Sequence, residues 1–463
     1  MSPSGIPRLV IAGVASGVGK TTTVVALTRA LRARGLQVAT FKCGPDYLDP
    51  TFHASASGAP CHNLDGWMMG REAVVGTFAR ASRGADVALI EGVMGLFDGA
   101  SPDTDDGSAA QVARWLGAPV LAVVDASGMA RTIAAVGHGL ASFHPEVKVA
   151  GLWANRVGSK GHLELLQRAC VGTGTPVVGG LPERPELAFP ERHLGLVTAQ
   201  EGGLSPERLE AWGSLVSEWC DLNGVLRLAA SAGPLEGAEE SAPVASPVPV
   251  CRIAVAQDEA FHFYYEDNLR RLEALGAELV PFSPVRDGSL PRDVHALYLG
   301  GGYPEVHAAA LAGNSAMLEA VRAFAHAGGP VYAECGGMMY LAQGLRTLDG
   351  REHTMVGLVS GVAVMAPKLQ ALGYVEVETT RRTVLGGAGL RFRGHQFRYS
   401  TLEGAPGDGG ALRVRRRRGD STHQEGYGPD NVLASYVHAH WASNPLVAEG
   451  FVRSARAFRE GAR

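Results

Sequence analysis

A short apolar segment, Leu9–Gly13, runs straight into Gly13-Val14-Ala15-Ser16-Gly17-Val18-Gly19-Lys20-Thr21-Thr22, and a helix candidate, Thr21–Ala33, follows at once. Strand, small-residue loop and helix in that order constrain the fold strongly, because the helix must cross back over a sheet whose next strand is parallel. In such a loop consecutive backbone N–H groups can wrap phosphate oxygens, and the helix N-terminus adds its dipole. Lys20 offsets the β and γ charge, and the Thr21 hydroxyl suits Mg²⁺. The spacing departs from G-x-x-x-x-G-K-[ST]: the position five before Gly19 is Val14, and the glycine lies one residue earlier, at Gly13.

The same alternation continues downstream. Val38–Lys42, Val87–Glu91, Val120–Asp125 and Val149–Asn155 read as buried parallel strands, with Gly107–Leu116 and Ala130–Ala141 among the helices between them. Ala229–Val250 interrupts it: this stretch is rich in Ala, Pro and Ser, carries three Glu and no Lys or Arg, and has no period, so it reads as a linker. The pattern then restarts with Arg252–Ala256, a helix around Tyr265–Leu275, Leu279–Phe282, Ala296–Leu299 and Val331–Ala333. The expected organisation is two α/β domains, 1–228 and 251–463, joined by the linker 229–250. With 46% hydrophobic and 19% charged residues, the 463-residue chain can bury a large core. Glycine, 61 of 463 or about 13%, exceeds the usual ~7% and points to close backbone approaches.

A net charge of −4 supplies no general attraction to nucleic acid or anionic lipid. The run Arg413-Val414-Arg415-Arg416-Arg417-Arg418 has no aromatic platform around it and reads as a solvated strand end. Six scattered cysteines without a C-x-x-C pair fit reduced thiols in a cytoplasm. No signal segment is expected, and Asp86, Glu91 and Asp98 break the most apolar stretch, so no membrane span is expected either.

Ligands of open parallel sheets bind beyond the carboxyl ends of the strands. Three acids read as lying there: Glu91, closing its strand and a candidate Mg²⁺ ligand, and Asp46 and Asp49, in the Gly/Pro-bounded string Phe41-Lys42-Cys43-Gly44-Pro45-Asp46-Tyr47-Leu48-Asp49-Pro50-Thr51-Phe52-His53. Asp98 in GLFDG and Asn155 have similar placement.

In the second half, Val331-Tyr332-Ala333-Glu334-Cys335-Gly336-Gly337 reads as strand, sharp turn and helix, with Cys335 at the helix start. A thiol there can be activated as a nucleophile beside N–H donors for an oxyanion. Gly300-Gly301-Gly302 at an earlier strand end is a second donor loop, and His438 and His440 in SYVHAHW offer a base. A zinc site from Cys335, His438 and His440 is the rival reading, with no further ligand spacing to support it.

Taken in order, SGVGKTT, FKCGPDYLDPTFH, NLDGWM, EGVMGLFDG, VVDASGMARTIAA, NRVGS, FPERHLGLV, LGGGYPE, AECGGMMYL and SYVHAHWASNP resemble the cobyrinate a,c-diamide synthase family over essentially the whole chain. The resemblance implies a dethiobiotin-synthetase-like ATP-dependent domain and a class I glutamine amidotransferase domain. It implies Cys335 as nucleophile, His438 as base, and Gly302 and Gly336 at the oxyanion. It further implies Gly17, Gly19, Lys20, Thr21, Thr22 and Asn155 at ATP, with Thr21, Glu91 and Asp46 at Mg²⁺, and Asp46, Tyr47, Leu48 and Asp98 at the tetrapyrrole. The expected substrates are cobyrinate, L-glutamine and ATP, in a cytoplasmic homodimer. Hydrogenobyrinate and Ni-sirohydrochlorin are the alternative acceptors; cobyric acid synthase is a related enzyme from which DYLDPTFH and NLDGWM separate this chain. A partition-type ATPase would place a signature Lys at Ala15 and lack the Cys335 domain. The usual acid two residues after the base is here His440, and Gly394-His395-Gln396-Phe397-Arg398-Tyr399 departs from the family's GHEFHYS at Gln396 and Arg398.

Overall fold

The structure, a computed structural model, describes residues 5–187, 189, 191–192, 195–196, 204–237, 249–404, 410–419 and 421–461. Part of the linker (238–248) and Pro190, His193, Leu194 and Val197 of FPERHLGLV lie outside the described residues. The chain divides into two compact units, Met1–Glu240 and Ser241–Arg463. Where a linker is expected to begin, Ala229 and Ala230 instead finish a helix, Leu222–Ala230, because Leu222, Val225 and Ala229 form a buried stripe at helical spacing.

The first unit is built on seven strands: β1 (Arg8–Gly13), β2 (Val38–Cys43), β3 (His62–Leu64), β4 (Val87–Gly95), β5 (Val120–Asp125), β6 (Val149–Val157) and β7 (Val177–Pro182). They pair in parallel in the order β3-β2-β4-β1-β5-β6-β7. β1, β4 and β5 are buried almost end to end, as parallel strands covered on both faces must be. Continuing the chain are two short strands, β8 (Glu191–Arg192) and β9 (Gly195–Leu196), paired antiparallel.

One expectation changes here. Glu91 does not end its strand: β4 runs on to Gly95, with a register irregularity between Ile11 and Gly13 of β1, and Glu91 is fully buried. A carboxylate survives inside a ladder only when partners satisfy it, and those partners define the first site below.

The second unit has a parallel sheet, β10 (Cys251–Ala256), β11 (Ala277–Phe282), β12 (Ala296–Leu299), β13 (Val331–Glu334) and β22 (Val432–Ser435), in the order β11-β10-β12-β13-β22. Two further sheets come from a region without long apolar runs: β14 (Ala342–Arg346), β15 (Glu352–Thr354), β16 (Val359–Met365) and β19 (Ser400–Glu403) form one. β17 (Ala371–Thr379), β18 (Arg391–Arg398), β20 (Leu412–Arg416), β21 (Thr422–Glu425) and β23 (His438–His440) form the other, all antiparallel. SYVHAHW is therefore split between two sheets. The arginine run is explained by its neighbour: Arg415 and Arg413 on β20 pair with Glu376 and Glu378 on β17.

Candidate functional sites

At the carboxyl end of β1 the chain turns through the loop into the helix Lys20–Ala33, with Gly17 and Gly19 at φ 76° and 87°. A Cβ at Gly19 would lie 2.0 Å from Asn155 Nδ2, which donates to the Val18 carbonyl at 2.8 Å. The displaced glycine has a physical cause, since a Cβ at Gly13 would strike Ala15 O and a Val18 methyl at 2.7 Å. Arg156 donates to the Gly17 carbonyl at 2.9 Å, and Lys20 Nζ to that of Ala15 at 3.1 Å. Burial and the neighbouring Lys42 lower the Lys20 ammonium below its ordinary value.

Beside this loop is a buried ionic cluster. Glu91 Oε1 accepts from Thr21 Oγ1 at 2.9 Å and from Lys42 Nζ at 2.8 Å, while its Oε2 lies 2.5 Å from His53 Nε2. Burial alone would raise the Glu91 carboxyl, but Lys42 and His53 hold it well below the usual range. Lys42 also meets Asp49 at 2.5 Å and Asp46 at 3.9 Å. Burial opposes its charge, but the three carboxylates around it keep it firmly protonated. Asp46 Oδ1 accepts from the N–H groups of Leu48 (2.8 Å) and Asp49 (3.1 Å), which shapes the loop carrying half-buried Tyr47 and Leu48. Asp98, exposed, accepts from Gly95 N–H at 2.8 Å, and Thr22 is half-buried next to Thr21.

Sequence reasoning alone assigns no role to Lys42 or His53. Lysine near the carboxyl end of an otherwise largely apolar strand is the available signal, since a buried lysine is nearly always paired. As for Mg²⁺, Thr21 Oγ1 and Glu91 Oε1 are adjacent hard oxygen donors at the loop. Among the described residues no group of three His, Cys, Asp or Glu could enclose a metal. That donor set fits an ion completed by phosphate oxygens and water.

In the second unit, Cys335 follows β13 at φ 46°, ψ −100°, a strained conformation for a residue with a side chain. Its N–H is held by the Ser435 carbonyl of β22 at 2.7 Å, and the helix Gly336–Leu341 begins immediately after it. The Gly302 loop abuts this turn: a Cβ at Gly336 would lie 3.0 Å from Gly302 N, and one at Gly302 would lie 2.0 Å from Ala260 O. The backbone of Gly302 and that of Gly336 are thereby brought together. Burial pushes the Cys335 thiol up to about 12; Glu305 adds to the rise and Arg398 opposes it.

His438 on β23 is buried and pairs across the strands with His395 of β18, the rings stacked at 4.9 Å and 16°. Burial lowers His438 to about 3. A Cβ at Gly301 would reach His438 Cε1 at 2.5 Å, which seats the imidazole against the Gly300–Gly302 loop. His440 is turned elsewhere: its Nδ1 accepts from Ala442 N–H at 3.3 Å and its ring packs on Tyr265 at 4.6 Å. Between the two histidines, Ala439 N–H donates to Glu334 Oε1 at 3.0 Å; Glu334 also takes the hydroxyls of Tyr332 (2.8 Å) and Tyr298 (3.2 Å). Glu334, buried beside Cys335, thus fixes the strand that carries His438. Cys335, His438 and His440 do not gather into a metal-binding group, so the zinc reading gains no support.

Comparison with known proteins agrees with both halves. Residues 9–197 match the family described as the CobQ/CobB/MinD/ParA nucleotide binding domain, and residues 252–446 the CobB/CobQ-like glutamine amidotransferase domain. The cobyrinate a,c-diamide synthase of Leptospira interrogans serogroup Icterohaemorrhagiae serovar copenhageni is 51% identical over 97% of this chain and 98% of its own length. That of Syntrophotalea carbinolica is 48% identical, covering 96% and 98%. The hydrogenobyrinate a,c-diamide synthase of Streptomyces coelicolor is 40% identical, covering 98% and 99%.

Proposed function

The chain belongs to the cobyrinate a,c-diamide synthase family, and from that premise we propose that it is a glutamine-hydrolysing, ATP-dependent ligase of cobalamin biosynthesis that converts the a- and c-carboxylates of cobyrinate to amides. The observation that carries the reading is one chain holding both a phosphate loop backed by the Glu91 cluster and a strained cysteine turn beside a buried histidine.

In the second unit the Cys335 thiol gives its proton to His438 as sulfur attacks the side-chain carbonyl of glutamine. The backbone N–H groups of Gly302 and Gly336 take the developing oxyanion. His438 returns the proton to the departing nitrogen, releasing ammonia, and water then cleaves the thioester to glutamate. In the first unit the N–H groups around Gly17 and Gly19, together with Lys20, hold the triphosphate while Asn155 orders the loop at the adenine side. A substrate carboxylate takes the γ-phosphoryl group of ATP to give an acyl phosphate and ADP, and ammonia displaces phosphate to form the amide. Asp46, Tyr47, Leu48 and Asp98 are the substrate-side positions, and Lys42 ties Asp46 and Asp49 of that loop to Glu91. Thr21 and Glu91, with Asp46 near, would hold Mg²⁺, which when bound neutralises the β and γ oxygens. Six unpaired cysteines support a reducing cytoplasm, and no described helix is long and apolar enough to cross a membrane.

The test is purified protein with ATP, Mg²⁺ and either glutamine or ammonia, offered cobyrinate, hydrogenobyrinate and Ni-sirohydrochlorin, with mass gain per amide as the readout. Cys335→Ala should abolish amidation from glutamine and retain it from ammonia, whereas Lys20→Ala should abolish both. Full glutamine use by Cys335→Ala would remove the nucleophile, and turnover of another tetrapyrrole alone would reassign the acceptor.

A further inference from the structure

The proposed reaction leaves Arg398 without a task. It ends β18, and its guanidinium lies 4.2 Å above the Tyr436 ring while one terminal nitrogen donates to the Ser400 carbonyl. Its Nε is buried and has no hydrogen-bond partner among the described residues. Leaving a buried donor of a charged group unmet is costly, so a site built this way is complementary to an incoming acceptor. No carboxylate takes that part: Glu425, the buried acid that feels the Arg398 charge, accepts instead from Gln396 Nε2 at 2.7 Å. Gln396, on the same face of β18, is neutral where the family's usual string has Glu, so it adds no counter-ion.

Both supports of Arg398 run directly to the nucleophile. Tyr436 follows Ser435, whose carbonyl takes the Cys335 N–H at 2.7 Å. Ser400 Oγ bonds Tyr436 Oη at 3.1 Å and Met339 Sδ at 3.4 Å, and Met339 N–H returns to the Cys335 carbonyl at 2.9 Å. Stacked on Tyr436 and bonded to Ser400, the guanidinium is fixed within the bonded network that reaches Cys335, and its charge opposes the rise of the thiol. Glutamine carries a single carboxylate, separated from the amide carbon that Cys335 attacks by the short chain of its side chain.

We propose that Arg398 recognises the α-carboxylate of glutamine while its side-chain amide lies at Cys335, making it a specificity-determining residue of the glutaminase site. The proposal rests on the glutaminase reading above. A planar fork that is always charged suits a carboxylate in a way that the family's usual His at this position does not.

The experiment compares hydrolysis of L-glutamine and of 4-aminobutanamide, which is glutamine without its α-carboxylate, by the full-length wild type, Arg398→Gln and Arg398→Lys. A charge-assisted hydrogen bond corresponds to about 10- to 100-fold. Arg398→Gln should raise KM for glutamine by that factor, lower kcat much less, and leave kcat/KM for 4-aminobutanamide near the wild-type value. Arg398→Lys, which keeps charge and loses the fork, should fall between and serves if Arg398→Gln does not fold. Equal losses on both substrates, or undiminished discrimination in either folded variant, overturn the proposal. A wild type that hydrolyses no glutamine overturns the glutaminase reading itself.

Discussion

A base in free solution would lose its activity as histidine protonates near 6.5, but His438 is buried on every side. Burial disfavours the imidazolium and lowers the group to about 3. A lowered value means that the neutral, proton-accepting form persists to the acid side of the ordinary one. The glutaminase kcat/KM should therefore show no fall attributable to the base between pH 7 and 5.5, checked by initial rates across pH 5 to 8. An inflection near 6.5 would place His438 in water and contradict its packing. The Cys335 thiol is pushed up to about 12, so both shifts favour a neutral thiol beside a neutral imidazole over an ion pair. At this scale legibility tracks sequence distance. Lys20, Cys335 and the glycines around them stand in local strings whose chemistry needs no partner elsewhere. Lys42 is unreadable from sequence because its meaning comes from the register that sets it opposite Glu91, 49 residues away, across β2 and β4. The support of His438 is unreadable for the same reason: His395 reaches it only through the β18–β23 ladder.

Among the elements, the turn between β13 and the helix Gly336–Leu341 is the most exacting. A Cβ at Gly337 would lie 2.3 Å from the Leu299 carbonyl oxygen at the end of β12, which is backbone and cannot swing aside. Gly337→Ala must move the helix, and with it the N–H groups beside Cys335. Overpacking of this kind typically costs roughly 1 to 3 kcal/mol. The expected result is a lower urea midpoint and a loss of glutaminase of about 100-fold, the scale of a displaced oxyanion donor. Wild-type glutaminase in the variant would mean that the turn tolerates what its geometry forbids. The parallel strands are legible because each is a continuous apolar run buried on both faces. The mixed sheet and the antiparallel sheet drawn mainly from residues 342–425 are not. β17 and β20 alternate buried apolar residues with half-buried Glu and exposed Arg, and the arginines read alone as a charge run until Glu376 and Glu378 are placed beside them.

At the scale of the whole chain, each of the two units has buried clusters of its own. The buried cluster around Leu9, Val24 and Trp153 draws only on residues of the first unit, and those around Leu297 and Met338 and around Tyr298 and Trp441 only on the second. With units of 240 and 223 residues, each exceeds the size at which a single core suffices. Produced separately, 1–240 and 241–463 should therefore each unfold cooperatively. Ligand linkage then reports which site belongs to which unit. A ligand at 100 times its Kd stabilises the folded state by about 2.7 kcal/mol. In a domain of this size that raises Tm by roughly 5 to 10 °C. A non-hydrolysable ATP analogue with Mg²⁺ should raise the Tm of 1–240 by that amount and leave 241–463 unmoved. The 241–463 fragment should hydrolyse glutamine, and Cys335→Ala within it should not. If 241–463 is unfolded, the cores are not self-sufficient. If the analogue stabilises the wrong fragment, the assignment of the phosphate loop fails, whatever the full chain catalyses.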